Sequence, residues 1–408
     1  MNKPQQKKIV LYFLITCIGI WFASCKSNDN NNPDPTPSNQ YLVSSTLIGT
    51  YSKDVLKTRT DVLTGGINDP LVAIFISGLL KYDIKAYKIV YKTKNTDGTE
   101  IQASGALIVP QTTEAIPLIS QQHGTIRSDA DAPSNYGTSS ESYTIASLFA
   151  SNGYIIACPD YIGYGTSKSI VHPYEHRESL AQASLDMIRA SKEFITTEKV
   201  NWSKKLMITG YSQGGFATMS LQKKIEEQFP TEFNLVASSC GAGAYNKTAF
   251  MKYLINETTH AIPEYNQLYI WVVQTYNRIY GLNRAMNTYF KEPYATDIQN
   301  NGNNANVPVS FNLAFSDTFK KNINDGTDTQ FLNAVKDNDV FDWAPKTEMQ
   351  LYHGDADQQV FYLNSSTAVT AMKAKGGNVT LITKAGGTHG STLQDYAIGT
   401  FNFFNGKR

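Results

Sequence analysis

The sequence predicts an α/β fold: a mostly parallel sheet with helices on both faces. Two observations carry this. Short apolar runs of strand length recur along the chain, and amphipathic stretches of helical length lie between several of them. A strand that re-enters a sheet through a crossover helix emerges parallel to its predecessor, so this alternation covers both faces of a parallel sheet. Ligands of such sheets bind beyond the carboxyl ends of the strands, and the residues following each strand are therefore the place to look for chemistry.

In chain order, residues 1–24 read as an export signal. Lys3, Lys7 and Lys8 precede an apolar run of 14 residues, Ile9 to Phe22, shorter than the ~20 residues of a spanning helix. Phe22-Ala23-Ser24-Cys25 is similar to a bacterial lipobox, with Phe22 where leucine is usual. That similarity implies a lipid on Cys25, a membrane anchor and an extracytoplasmic location; an uncleaved anchor helix or an ordinary signal peptide is the alternative. Residues 25–40 follow as a tether, because Lys26 to Ser38 offers nothing apolar to bury and its prolines favour extended backbone.

Tyr87–Lys94 and Ile101–Val109 read as a hairpin closed by Asn95-Thr96-Asp97-Gly98. The predicted strands after it are Ile116–Ser120, Tyr154–Cys158, Leu206–Thr209, Leu235–Ser239, Met349–His353 and Val379–Thr383. The predicted helices are Tyr143–Ala150, Ser179–Phe194, Phe216–Phe229, Ser366–Lys375 and Leu393–Phe404. Residues 246–340 exceed what the remaining strand–helix units need. Within them Tyr269, Val273, Tyr276 and Tyr280 fall at helical spacing, with Leu268, Val272 and Ile279 on a neighbouring face. A helix apolar on two faces packs on a core and lines something else. An inserted helical cap over 246–340 is expected, with 41–245 and 341–408 forming the body.

Composition narrows the function classes. Lys and Arg total 36 against 35 Asp and Glu, with no basic tract dense enough to follow a phosphate backbone, which argues against nucleic-acid binding. Hydrophobic residues at 41% and aromatics at 12% support a large core and exclude disorder. Cys17 leaves with the signal, Cys25 is the lipid candidate, and Cys158 and Cys240 end apolar runs on strands expected to lie apart; both are expected to be buried free thiols.

The strongest motif is Gly210-Tyr211-Ser212-Gln213-Gly214-Gly215, between a predicted strand and a predicted helix. A serine nucleophile must sit on a sharp strand-to-helix turn that lifts its hydroxyl above the sheet. Glycines at 210 and 214 remove side chains that would collide across the turn, and the Gln213 N–H, at a helix N-terminus, points at a developing oxyanion.

With this motif in place the chain resembles the α/β-hydrolase fold, and within it secretory-lipase-type serine esterases, from about Ile84 to the C-terminus. Gln122-His123-Gly124-Thr125, Pro159-Asp160-Tyr161-Ile162-Gly163-Tyr164-Gly165, His353-Gly354-Asp355-Ala356-Asp357 and Gly386-Gly387-Thr388-His389-Gly390 carry the rest of the resemblance. The fold's triad order, nucleophile then acid then histidine, is a separate test. Of His123, His172, His176, His260, His353 and His389, only the last two lie near the ends of later strands, and His353 belongs to the turn of the acid itself. His389 is left as the general base.

Asp355 and Asp357 compete for the acid, and the position of the carboxylate in related sequences favours Asp357. The same relatives imply Thr125 N–H as the second oxyanion donor. His123 is expected to brace that loop and Asp160 to organise its own. Two rival motifs are weaker. His172-Pro173-Tyr174-Glu175-His176 matches a zinc-peptidase pattern, but Pro173 is tolerated only in a first helical turn; Ser220-Leu221-Gln222-Lys223 lies inside a predicted helix. The resemblance implies a serine esterase or lipase acting on an ester through a covalent acyl-enzyme, with no cofactor and no metal, and the lipobox similarity adds the lipid anchor. A serine peptidase or carbohydrate esterase on the same fold is the alternative, and a catalytically inactive surface binding protein is the alternative from another class.

Overall fold

The computed structural model describes residues 39–64 and 78–408. The export signal, Cys25 and nearly all of the tether lie outside the described residues. Among those described, no helix is long and apolar enough to cross a membrane.

The strands are β1 (Leu42–Tyr51), β2 (Ile84–Lys94), β3 (Glu100–Pro110), β4 (Ile116–Gln122), β5 (Ile155–Pro159), β6 (Trp202–Tyr211), β7 (Asn234–Gly241), β8 (Met349–Gly354) and β9 (Val379–Lys384). They form one nine-stranded sheet in the order β1-β2-β3-β5-β4-β6-β7-β8-β9. Pairing is antiparallel from β1 to β5 and parallel from β5 to β9. The predicted hairpin is β2–β3, with Gly98 at φ 83° in its turn.

Period-two alternation sorts the strand residues onto two faces. Ala106, Ile108, Ile119, Ile156 and Met207 pack with Phe401 and Phe404 of the C-terminal helix Leu393–Asn405. Their neighbours Leu107, Leu118, Ile155 and Ile208 pack on the other face with Leu185 and Ile188 of helix Arg177–Thr197 and Leu221 of helix Gln213–Gln228. Cys158 on β5 and Cys240 on β7 are free and buried, with β4 and β6 between their strands.

Strand β1 and helix Lys53–Thr64 were not predicted. Register shifts between Leu42 and Ser44 and between Leu47 and Gly49 interrupt the alternation of β1, and bulges of this kind erase the period that marks a strand in sequence.

Between β7 and β8 the chain forms helices Lys247–Asn256, Pro263–Ile279, Tyr294–Asn301, Asp317–Asn324 and Thr329–Asp337. Phe250, Tyr269, Val273, Phe290, Phe311, Phe319 and Phe331 meet there in an aromatic-rich core. Helix Pro263–Ile279 carries the spacing noted above: Tyr269, Val273 and Tyr276 are buried in that core, and Leu268 and Val272 pack against it.

Candidate active site

The parallel register aligns the carboxyl ends of the central strands. Gln122 pairs with Gly210, Tyr211 with Gly241, and Gly241 with Tyr352. The segments after β4, β6, β8 and β9 therefore emerge along one edge.

Ser212 occupies the turn from β6 into helix Gln213–Gln228 with φ 60° and ψ −124°. Holding a residue with a side chain in this region costs on the order of 1–3 kcal/mol, so the surroundings must enforce it. They do so by close backbone approach. A Cβ on Gly214 would stand 2.1 Å from the Gln122 carbonyl oxygen, and one on Gly210 would stand 2.4 Å from the Gly214 carbonyl oxygen. Ser212 N–H donates to Gly241 O at 2.8 Å, tying the turn to β7. The Ser212 hydroxyl makes no capping bond to its helix, and Ser212 lines a cavity.

Asp357 is buried beyond β8, and the β9 loop brings His389 to it: His389 Nδ1 lies 2.6 Å from Asp357 Oδ2. Asp357 Oδ1 accepts from the N–H groups of Gln359 at 2.8 Å and Val360 at 2.9 Å. Burial alone would raise the Asp357 carboxyl, but hydrogen bonds from His353 and His389 and the charges of those rings outweigh it and hold the carboxyl well below the usual carboxylate range. An ionised Asp357 accepts from Nδ1–H of His389 and leaves Nε2 as the free imidazole nitrogen. Asp355 is exposed and accepts from the Gly386 N–H at 2.6 Å.

Tyr211, next to Ser212, fixes the histidine loop. Its hydroxyl donates to His389 O at 2.7 Å, and the two rings lie 5.2 Å apart. The described residues include no direct hydrogen bond between Ser212 and His389; such bonds are often long in ligand-free sites.

Gln213 is the first residue of its helix, where a backbone N–H has no intrahelical partner. Its side-chain amide meets His172 Nε2 at 2.8 Å, while His172 Nδ1 lies 2.6 Å from Ile162 O. Burial lowers the His172 ring to about 3, so the ring is neutral, with Nδ1–H donating to Ile162 and Nε2 accepting from Gln213. The Thr125 loop lies beside Ser212, since a Cβ on Gly124 would stand 4.0 Å from Ser212 Cβ. Gly124 N–H donates to Glu141 Oε1 at 2.9 Å, and Thr125 Oγ1 is 2.8 Å from the Tyr174 hydroxyl.

His123 braces this loop through contacts to Gly124 O at 2.6 Å and Asp160 O at 3.2 Å. Asp160 accepts from Ser104 Oγ at 2.6 Å and Ser134 N–H at 2.7 Å. His176 caps helix Arg177–Thr197 by accepting from Ser179 N–H, so His172 and His176 serve separate partners. Ser220 donates to Phe216 O within its helix, and Lys223 pairs with Glu227.

Several neighbours escape sequence reasoning. His353 Nε2 stands 3.3 Å from Asp357 Oδ2 and 2.7 Å from Val360 O, making it a second ring against the carboxylate. Tyr174 stacks on Trp271 of helix Pro263–Ile279 with centroids 4.3 Å apart. A buried Lys247–Glu175 ion pair lines the same cavity as Ser212. His353 lies four residues before Asp357, in the turn where the sequence already placed it; the other groups meet by long-range packing, and only the His-Pro-Tyr-Glu-His run, noted for another reason, pointed at Tyr174 and Glu175.

The secretory lipase family model matches residues 127–394, more than half of the chain. No curated protein sequence matches it. Among solved structures, a protein of Legionella pneumophila described as a hydrolase is 24% identical with TM-score 0.78, covering 90% of this chain and 98% of that one. The rice cell wall degrading esterase LipA of Xanthomonas oryzae is 21% identical with TM-score 0.73, covering 91% and 100%. Candida antarctica lipase A is 16% identical with TM-score 0.60, covering 89% and 83%. These likenesses establish the α/β-hydrolase fold, and the family match establishes membership: the chain belongs to the secretory lipase family and is a hydrolase of the lipase and esterase class.

Proposed function

We propose that the chain is a serine carboxylic-ester hydrolase. The observation that carries this reading is the 2.6 Å contact between His389 and Asp357 beside the strained Ser212 turn. His389 Nε2 takes the Ser212 proton as Oγ attacks the ester carbonyl, and Asp357 holds the Nδ1–H tautomer and stabilises the imidazolium. The N–H groups of Gln213 and Thr125 receive the oxyanion. Collapse expels the alcohol with the proton from His389 and leaves an acyl group on Ser212, which water activated by His389 releases. Residues 246–340 act as a cap that excludes water and encloses the acyl chain. Hydrolysis of p-nitrophenyl esters from acetate to decanoate tests the reading: turnover is expected on part of the series, and none on any member would overturn it.

Tyr174 positions the Thr125 donor. Tyr174→Phe deletes one hydrogen bond, worth about 1 kcal/mol, and is expected to lower kcat roughly five-fold with KM nearly unchanged. An unchanged kcat would release Tyr174 from that role.

The mature chain is read as an exported lipoprotein held by acyl groups on Cys25. Each buried methylene adds ~0.8 kcal/mol to membrane binding, and more than one chain gives a stable anchor. Cys25→Ala is expected to move the protein from the membrane to the soluble fraction; continued retention would point to an uncleaved helix.

A further inference from the structure

The cavity that Ser212 lines is walled mainly by apolar side chains, among them Leu254, Val272, Val273 and Phe311. Into this wall are set two ionic groups, Glu175 and Lys247. Both are more than nine-tenths buried, with relative exposures of 7% and 5%. They bond to each other through Lys247 Nζ and Glu175 Oε2. The Phe216 ring face lies 4.3 Å from the ammonium, the charge of Asp339 also acts on it, and Glu175 Oε1 has no hydrogen-bond partner among the described residues.

An ammonium has three donors and a carboxylate two acceptor oxygens, so one mutual bond leaves capacity on both. Spare capacity of this kind beside a cavity is available to a polar group that enters it. Glu175 is moreover held at φ 51°, a conformation that residues with side chains adopt rarely, and Tyr276 donates to its carbonyl at 3.1 Å. The backbone is thus constrained where the carboxylate meets the cavity.

We infer that Glu175 and Lys247 form a polar subsite that accepts a hydroxyl carried on the acyl chain of the substrate. The inference rests on the serine-esterase reading above. The pair is neutral as a unit, so an anionic substituent meets Glu175 unfavourably and a cationic one meets Lys247. A hydroxyl accepts from Lys247 and donates to Glu175, satisfying both. In a cavity without this pair the same hydroxyl would lose its hydration uncompensated, and the plain alkyl ester would be preferred.

The test compares p-nitrophenyl esters of ω-hydroxyalkanoic acids with their isosteres, in which methyl replaces hydroxyl, over a series of chain lengths. At the length that reaches the pair, kcat/KM for the hydroxy ester is expected to exceed that of its isostere at least ten-fold. The double substitution Glu175→Leu with Lys247→Met, which removes both charges together, is expected to reverse that preference. Wild-type protein that hydrolyses the alkyl esters but favours them at every length would overturn the subsite and leave the esterase reading intact. Wild-type protein that hydrolyses neither series would overturn the esterase reading itself. Because the wild-type comparison decides alone, failure of the double variant to fold does not rescue the inference.

Discussion

Ser212→Ala is expected to lower ester turnover by several orders of magnitude while leaving the fold intact. Serine and histidine members of such triads act as a unit, and losing one costs about as much as losing all, roughly 10^6-fold in a well-studied protease. Here the geometry supports a loss of that kind. Ser212 is the residue lifted out of the sheet at φ 60°, and its hydroxyl makes no capping bond to the helix behind it. Alanine at 212 keeps the backbone bonds of the turn, from Ser212 N–H to Gly241 O and from Phe216 N–H to Ser212 O. Stability, followed by thermal melting, should change little. Turnover within ten-fold of wild type would remove Ser212 from the chemistry.

Asp357→Asn carries the second-largest expected effect, about 10^4-fold in kcat by analogy with the same change in other serine triads. The cause is tautomeric. The carboxylate accepts from His389 Nδ1 at 2.6 Å and also faces His353 Nε2 at 3.3 Å. An amide at 357 presents an NH2 group that can face Nδ1 and move the ring proton to Nε2, where it blocks the base. Its remaining oxygen is contested by His353 and by the N–H groups of Gln359 and Val360. Asp355→Asn touches only an exposed contact to Gly386 N–H, which the amide oxygen can still accept, and is expected to stay within about three-fold of wild type, since exposed substitutions are energetically small. Equal losses in the two variants would contradict the assignment of the acid.

Much of the architecture was legible because alternation is a local property. Strands buried on both faces read as short apolar runs, and the predicted strands from Ile116 onward all appear, with ends extended by a few residues such as Ser203–Lys205 near the start of β6. The Ser212 turn was legible for a related reason: close backbone approach leaves glycine as the residue that fits at 210 and 214. What escaped depends on contacts distant in sequence. Glu141 reaches Gly124 across 17 positions, Tyr174 reaches Thr125 across 49, and Lys247 reaches Glu175 across 72. No periodicity records such meetings. His353 was placed in the acid's turn by sequence order, yet its bond toward Asp357 depends on the turn curling back so that Val360 O also meets the ring.

The most direct test of the central claim is stoichiometric labelling with a fluorophosphonate. The reagent phosphonylates a serine only where a base activates it and an oxyanion site receives the developing charge. The folded wild-type protein is expected to gain one phosphonyl group by intact mass, mapped to the peptide containing Ser212, with loss of ester turnover in step. A folded protein that stays unlabelled, or that carries the label on another residue while turnover persists, would contradict it.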